Sequence, residues 1–172
     1  MKKLVFILML YANLMALGQT AEITKYKSMF TLNFIRYIGW PEASKQGDFV
    51  IGVVKDANLA ENIKNQTVGK KFGYQNIVVK EFNNADEVTD CQLLYFSSNQ
   101  SFSRNADAIK QKLLGKNSLL ITETEGAIKN GSMINFVIRD NKLKFEISNE
   151  NAEAFGLKFS GALTSLTNAI VK

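Results

Sequence analysis

Nucleophilic, metal and acid–base chemistry each need particular side chains, and most of them are missing from this sequence. It contains no histidine, which removes the Ser-His-Asp triad, the Cys-His pair and every histidine metal ligand. Its one cysteine, Cys91, opens the apolar run CQLLYFSS at 91–98. A thiol becomes a nucleophile in an electropositive, accessible setting, so the expectation here is a buried, inert group. The acids Asp86/Glu87 are adjacent and Glu123/Glu125 alternate, without the neighbours that make a calcium loop or an acid–base pair. The stretch GKKFG at 69–73 is too short for a phosphate loop and lacks its Ser or Thr. The residues therefore read as a chain that is not an enzyme, with no catalytic residue, no metal and no cofactor.

Two groups of residues could still form a binding site. Open α/β sheets place ligands in a crevice at the carboxyl ends of their strands. The apolar runs here end in Asp56 and Asn58, in Ser97, Ser98, Asn99 and Ser101, and in Thr122, Glu123 and Thr124. These polar groups either converge on a small molecule or simply cap the helices that follow. The second group is Arg36, Trp40 and Pro41, where an apolar helix meets a loop. Arg and Trp are enriched as interface anchors; the competing reading packs Trp40 into the core.

The elements that must position these residues can be read from hydrophobic period. Ile23, Tyr26, Phe30, Phe34 and Tyr37/Ile38 recur at helical spacing over 24–38, with Thr24 as cap and GWP at 39–41 as the exit. Four apolar strands follow, DFVIGVVKD (48–56), NIVVKEF (76–82), CQLLYFSS (91–98) and SLLITET (118–124). Helices capped by Asp56 and spanning 102–114 lie between them, and Gly115 stops the second. This alternation predicts a single α/β domain with a mostly parallel sheet flanked by helices.

The text INFVIRDNKLKFEI at 134–147 reads as an antiparallel β-hairpin near the C-terminus. Both Asp140 and Asn141 tolerate the left-handed backbone of a two-residue turn. Ile134/Ile147, Phe136/Phe145 and Ile138/Leu143 then share one face. Asn135/Glu146, Val137/Lys144 and Arg139/Lys142 share the other, where a partner would read them. In the tail, Gly156 stops a short helix begun near Asn149 or Asn151. Ser160 caps another, with Leu163, Leu166 and Ile170 inward.

Residues 1–18 are a different kind of text. Lys2 and Lys3 precede an apolar run from Leu4 to Leu17, and Ala16-Leu17-Gly18 supplies small residues before Gln19. That is the layout of a cleaved secretory signal, leaving a domain at 19–172 in the periplasm. The formal charge is +5 for the full chain; losing Lys2 and Lys3 lowers it by two. Lysines are scattered among acids, so nucleic acid is not an expected partner. A single cysteine excludes an internal disulfide.

In order, TLNFIRYIGWP (31–41), CQLLYFSS (91–98), LLITETEGAIKNGSMINFVIRDNKLKFEIS (119–148) and NAEAFGLKFSGALTSL (151–166) resemble the YfiR/HmsC family. Its early pattern is matched by Asn33, Phe34, Arg36, Tyr37, Trp40 and Pro41. Its later pattern is matched by Gly131, Met133–Phe136, Phe145–Ile147 and Gly156–Lys158. The resemblance implies a periplasmic regulator that represses an inner-membrane diguanylate cyclase by contacting its periplasmic sensor part, with effects on cyclic-di-GMP and biofilm. It also implies similarity to dimer formers. Partner contact is then expected at Arg36, Trp40, Asn135, Arg139 and Glu146. The alternative is a small-ligand carrier or sensor using Asp56, Asn58, Ser97, Ser98, Asn99, Thr122 and Glu123. Family members often carry disulfides; Cys91 matches one such position, and its usual partner would fall near Gly52, where this chain has none.

Overall fold

The computed structural model describes residues 21–167 and 169–170; the segment read as an export signal lies outside them. A helix, α1, occupies 21–34 and continues as a 3-10 turn, Ile35–Tyr37. Thr24 is therefore inside the helix and does not cap it. A short strand β1 (Ile38–Gly39) follows and pairs antiparallel with β9 (Lys158–Phe159). Gly39 thus leaves the helix directly into a two-stranded ribbon.

The main sheet contains β2 (Phe49–Val54), β3 (Lys71–Phe72), β4 (Gln75–Phe82), β5 (Leu93–Phe96), β6 (Leu119–Thr122), β7 (Ile134–Arg139), β8 (Lys142–Ile147) and β10 (Ala169–Ile170). Their order is β10-β8-β7-β6-β5-β2-β4-β3, and the five from β7 to β4 run parallel. β5 and β6 are buried at every residue and β2 at all but Val50, as strands covered on both faces must be. β3 covers only Asn76 and Gln75 of β4, so the outer side of β4 from Ile77 to Phe82 has no strand partner among the described residues.

The chain leaves β2 through α2 (Ala57–Thr67) to β4 on one side, and leaves β5 through α3 (Phe102–Leu113) to β6 on the other. Right-handed crossovers running in opposite directions put their helices on opposite faces. α1 shares the α2 face, where Gln66 Nε2 donates to Ser28 Oγ at 2.6 Å. The Asp56 side chain accepts from Leu59 N at 2.9 Å and caps α2.

The hairpin forms in the expected register, from Ile134↔Ile147 to Arg139↔Lys142. Asp140 and Asn141 have φ of 53° and 56°, the turn geometry that suits the twist of paired strands. α1 packs on the apolar face. Phe34 meets Phe145 edge-on at 4.8 Å and Phe136 at 5.8 Å, and Phe30 lies 6.0 Å from Phe145. Such ring pairs add about 0.5–1.5 kcal/mol each beyond area burial. Tyr26, one helical step earlier, is 43% exposed, so the predicted inward stripe is buried only in its second half.

In the tail, Ser148 and Ser160 cap α4 (Asn149–Ala154) and α5 (Gly161–Leu166). Gly156, with φ 74°, turns the chain out of α4. Leu163 is buried, but Leu166 is exposed. Ile170 is not on α5; it belongs to β10, which adds parallel to β8. The end of α5 at Leu166 lets Ala169 and Ile170 extend the sheet.

Cys91 is free and 3% exposed, and burial pushes its thiol up to about 12. A Cβ added at Gly52 would stand 3.3 Å from its Sγ and 2.8 Å from the Phe82 ring. The position that the resemblance assigns to a disulfide partner therefore touches Cys91, and glycine there leaves the thiol alone. An alkylating reagent at pH 8 is expected to label Cys91 only in denaturant; rapid labelling of the folded protein would show the thiol to be accessible.

Candidate functional site

Glu123 leaves the end of β6 and is the polar centre of the α1 face. Its Oε1 accepts from Ser98 N at 2.8 Å and from Ser98 Oγ at 2.9 Å. Its Oε2 accepts from Tyr95 Oη at 2.7 Å and is ion-paired with Lys27 of α1. The carboxylate side chain is 7% exposed. Burial alone would raise its pKa; the Lys27 ammonium, with the Ser98 and Tyr95 donors, outweighs that and holds the carboxyl below its ordinary value. Burial and the neighbouring Glu123 carboxylate push the Tyr95 phenol well up, so Tyr95 remains a donor.

A second chain of polar contacts starts on the opposite face. Thr122 Oγ1 lies 2.7 Å from both Ser132 Oγ and Asn135 Oδ1, and Thr124 N donates to Asn135 Oδ1 at 3.1 Å. Asn135 Nδ2 donates to Glu146 Oε2 at 3.3 Å. Arg139 then bridges outward, 3.5 Å from Glu146 and bidentate to Glu125 at 2.7 and 2.9 Å. An open groove of about 370 Å3 lies between these two systems. Lys27, Ser98 and Glu123 line one side and Glu125, Ile138 and Arg139 the other.

The groove takes Ser98 and Glu123 from the ligand candidates and Arg139 from the partner candidates. Most of the other ligand candidates do structural work. The crevice at the point where the strand order reverses, between β2 and β5, is bridged by Asn99 Nδ2 donating to Lys55 O at 2.8 Å and Ser97 N to Val54 O at 3.3 Å. Asp56 is the α2 cap and Asn58 lies in its exposed first turn. Ser101 precedes α3 without a side-chain cap bond. Thr122 is fully buried.

Two partner candidates are not surface residues. Trp40 is 8% exposed, donates Nε1–H to Ile35 O at 2.9 Å, and stands edge-on to Phe49 at 5.1 Å. It is a core residue. Asn135 is 0% exposed, because its amide serves Thr122, the Thr124 backbone and Glu146. Glu146 is largely turned inward by Asn135 and Arg139, with its side chain 18% exposed. Arg36 is exposed but lines a different cavity, with Lys70 and Lys71, so the candidates do not form one cluster.

Sequence reasoning missed Lys27 and Tyr95. A tyrosine inside the apolar run LLYF was the available signal, since a buried phenol needs a partner. Next to the groove, α1 and the hairpin tip leave an apolar seam. Ile23, Tyr26, Phe30 and Leu143 line it, and Ile138 (49%) is exposed nearby.

The family model for YfiR/HmsC-like proteins matches residues 24–168. The chain belongs to the YfiR/HmsC-like family. Membership supports a regulatory theme, generally without enzymatic activity. No curated protein matches the chain. Among solved structures, it is similar to a conserved domain protein from Vibrio cholerae O1 biovar eltor, with 10% identity and a TM-score of 0.56. That match covers 86% of this chain and 60% of the other; it shows the fold alone. A weaker likeness, with 8% identity and a TM-score of 0.48, is to an ABC domain in complex with L-Trp from Streptococcus pneumonia, covering 71% of this chain and 55% of that one. Among the described residues no helix is long and apolar enough to cross a membrane.

Proposed function

We propose that this YfiR/HmsC-like chain acts in the periplasm as a regulator of cyclic-di-GMP signalling, repressing an inner-membrane diguanylate cyclase by binding its periplasmic sensor part. The observation that carries this reading is the family match over residues 24–168. The surface supports protein contact through the seam between α1 and the hairpin, beside the groove that Arg139 borders. Tyr26 and Ile138 expose apolar surface there, and Arg139 is a charged rim. A small-ligand reading of this groove is less well supported, because the Glu123 carboxylate already accepts from Lys27, Tyr95 and Ser98 and the groove is open. Homodimer formation belongs to the same proposal and is tested by sedimentation.

Arg139→Glu and Tyr26→Glu are expected to leave the melting temperature nearly unchanged, since both side chains are exposed. Each should weaken capture of the sensor part of a cyclase from the same cell and raise cellular cyclic-di-GMP. Normal capture by both variants would remove this face from the interface. Unchanged cyclic-di-GMP on deletion of the protein would overturn the regulatory reading itself.

A further inference from the structure

At the far end of α1 from the hairpin tip lies a cavity of about 230 Å3 between α1, α2 and the β3–β4 edge. Its apolar surface comes from Leu32, Ile35, Phe72 and Ile77, and its rim carries Arg36, Lys70 and Lys71. No carboxylate lines it. The three cations are exposed, and none forms an ion pair or side-chain hydrogen bond among the described residues. Lys27, Lys45, Lys110, Lys116, Arg139 and Lys144 each meet an acid; among the described residues exposed cations such as Lys80, Lys129 and Lys142 do not, but only Arg36, Lys70 and Lys71 line this cavity. A neighbouring hollow shares Lys70 and Lys71, adds Lys64, and again contains no acid. The positive charge is therefore gathered over an apolar floor and left uncompensated.

Asn33 also lines the cavity, one helical turn before Arg36, and its exposed amide is without a side-chain partner. Of the stretch NFIRYIGWP, the residues Phe34, Ile35, Ile38 and Trp40 are buried, whereas Asn33 and Arg36 are turned to this cavity. An inorganic anion would answer the charge and leave the apolar floor wet. A neutral hydrocarbon would fill the floor and leave the cations unanswered. We infer that this cavity binds a small amphiphilic anion, a carboxylate or phosphate on an apolar body, with Arg36, Lys70 and Lys71 on the acid group and Ile35, Phe72 and Ile77 against the body. The space is that of about eight waters, which limits the body to a short chain or a single ring. This goes beyond the proposed repressor role and does not depend on it.

The chain's only tryptophan reports on the site. Trp40 packs edge-on to Phe72 with ring centroids 6.5 Å apart, so occupancy should change its emission. Octanoate and phenyl phosphate serve as probes, with acetate and inorganic phosphate as bodiless controls. The expected result is a saturable change with at least one amphiphilic probe, weakened by salt, and none with the controls at equal concentration. Lys70→Glu with Lys71→Glu should weaken binding at least about tenfold, as should the neutral pair Lys70→Gln with Lys71→Gln if charge reversal perturbs the fold. Lys129→Glu with Lys142→Glu, the same charge change on exposed residues elsewhere, should bind as the wild type does. The inference is overturned if neither amphiphile binds, if the controls bind equally well, or if the distant pair is as damaging as the near one. Sedimentation with phosphatidylglycerol vesicles in the absence of octanoate or phenyl phosphate binding would also overturn it, assigning the patch to a membrane surface.

Discussion

Trp40→Ala should destabilise the protein by about 3–5 kcal/mol, the cost of removing a large buried aromatic side chain. At this chain length that corresponds to a fall in melting temperature of about 10 °C or more. The ring packs edge-on against both Phe49 and Phe72, with its Nε1–H committed to Ile35 O. Truncation leaves a cavity where α1 passes into β1, and removes the donor that satisfies the last turn of the helix. Trp40→Phe should recover most of the loss, because it restores volume and forfeits one hydrogen bond. Unfolding must be followed by circular dichroism, since the variant has no tryptophan. An unchanged melting temperature with lost cyclase capture would return Trp40 to the interface.

Glu123→Ala is expected to cost about 3 kcal/mol, near the lower end for breaking a buried ion pair. The lower end applies because the Lys27 side chain is 19% exposed and can reach water. The Tyr95 hydroxyl, buried within the sheet, loses its acceptor in the same variant. The effect depends on pH with a definite sign. The folded protein holds the Glu123 carboxyl below 4.5, its ordinary value, so on acidification the unfolded chain takes up that proton first. The stabilisation is complete above the unfolded value and is lost as pH falls through the lower folded one. Denaturant melts at pH 7 and at successively lower pH should show the gap between wild type and Glu123→Gln narrowing only on the acid side. A gap independent of pH would mean that the charge of Glu123 contributes nothing.

Local features were legible in the sequence and long-range pairings were not. The hairpin register follows from six alternating residues on each strand and a turn that only particular residues adopt, and every pair from 134/147 to 139/142 formed as read. Asp56 and Ser160 cap their helices because capping is settled within three residues. Asn135 misled for a physical reason. Alternation marks a polar residue as outward, but β7 lies beside β6, and the Thr122 hydroxyl stands directly across the sheet from it. A polar residue can then be interior if another meets it. Glu123 was read as a crevice residue and does reach the groove. Its partners at positions 27, 95 and 98 are brought together only by the packing of α1 across the sheet, which no short window contains.

The outer side of β4 is an open edge of the sheet among the described residues. β3 stops at Phe72, and among the described residues Ile77 to Phe82 have no strand beside them at that edge. A row of unpaired amides and carbonyls along Ile-Val-Val is a template on which another extended chain could grow. Lys80 and Glu81 interrupt it; both are exposed, and alternation sends them to opposite faces. A strand added there would have to desolvate or match opposite charges on its two sides at once. Protection of this edge against edge-to-edge pairing thus falls to two adjacent charged side chains, where a longer β3 would have supplied steric cover.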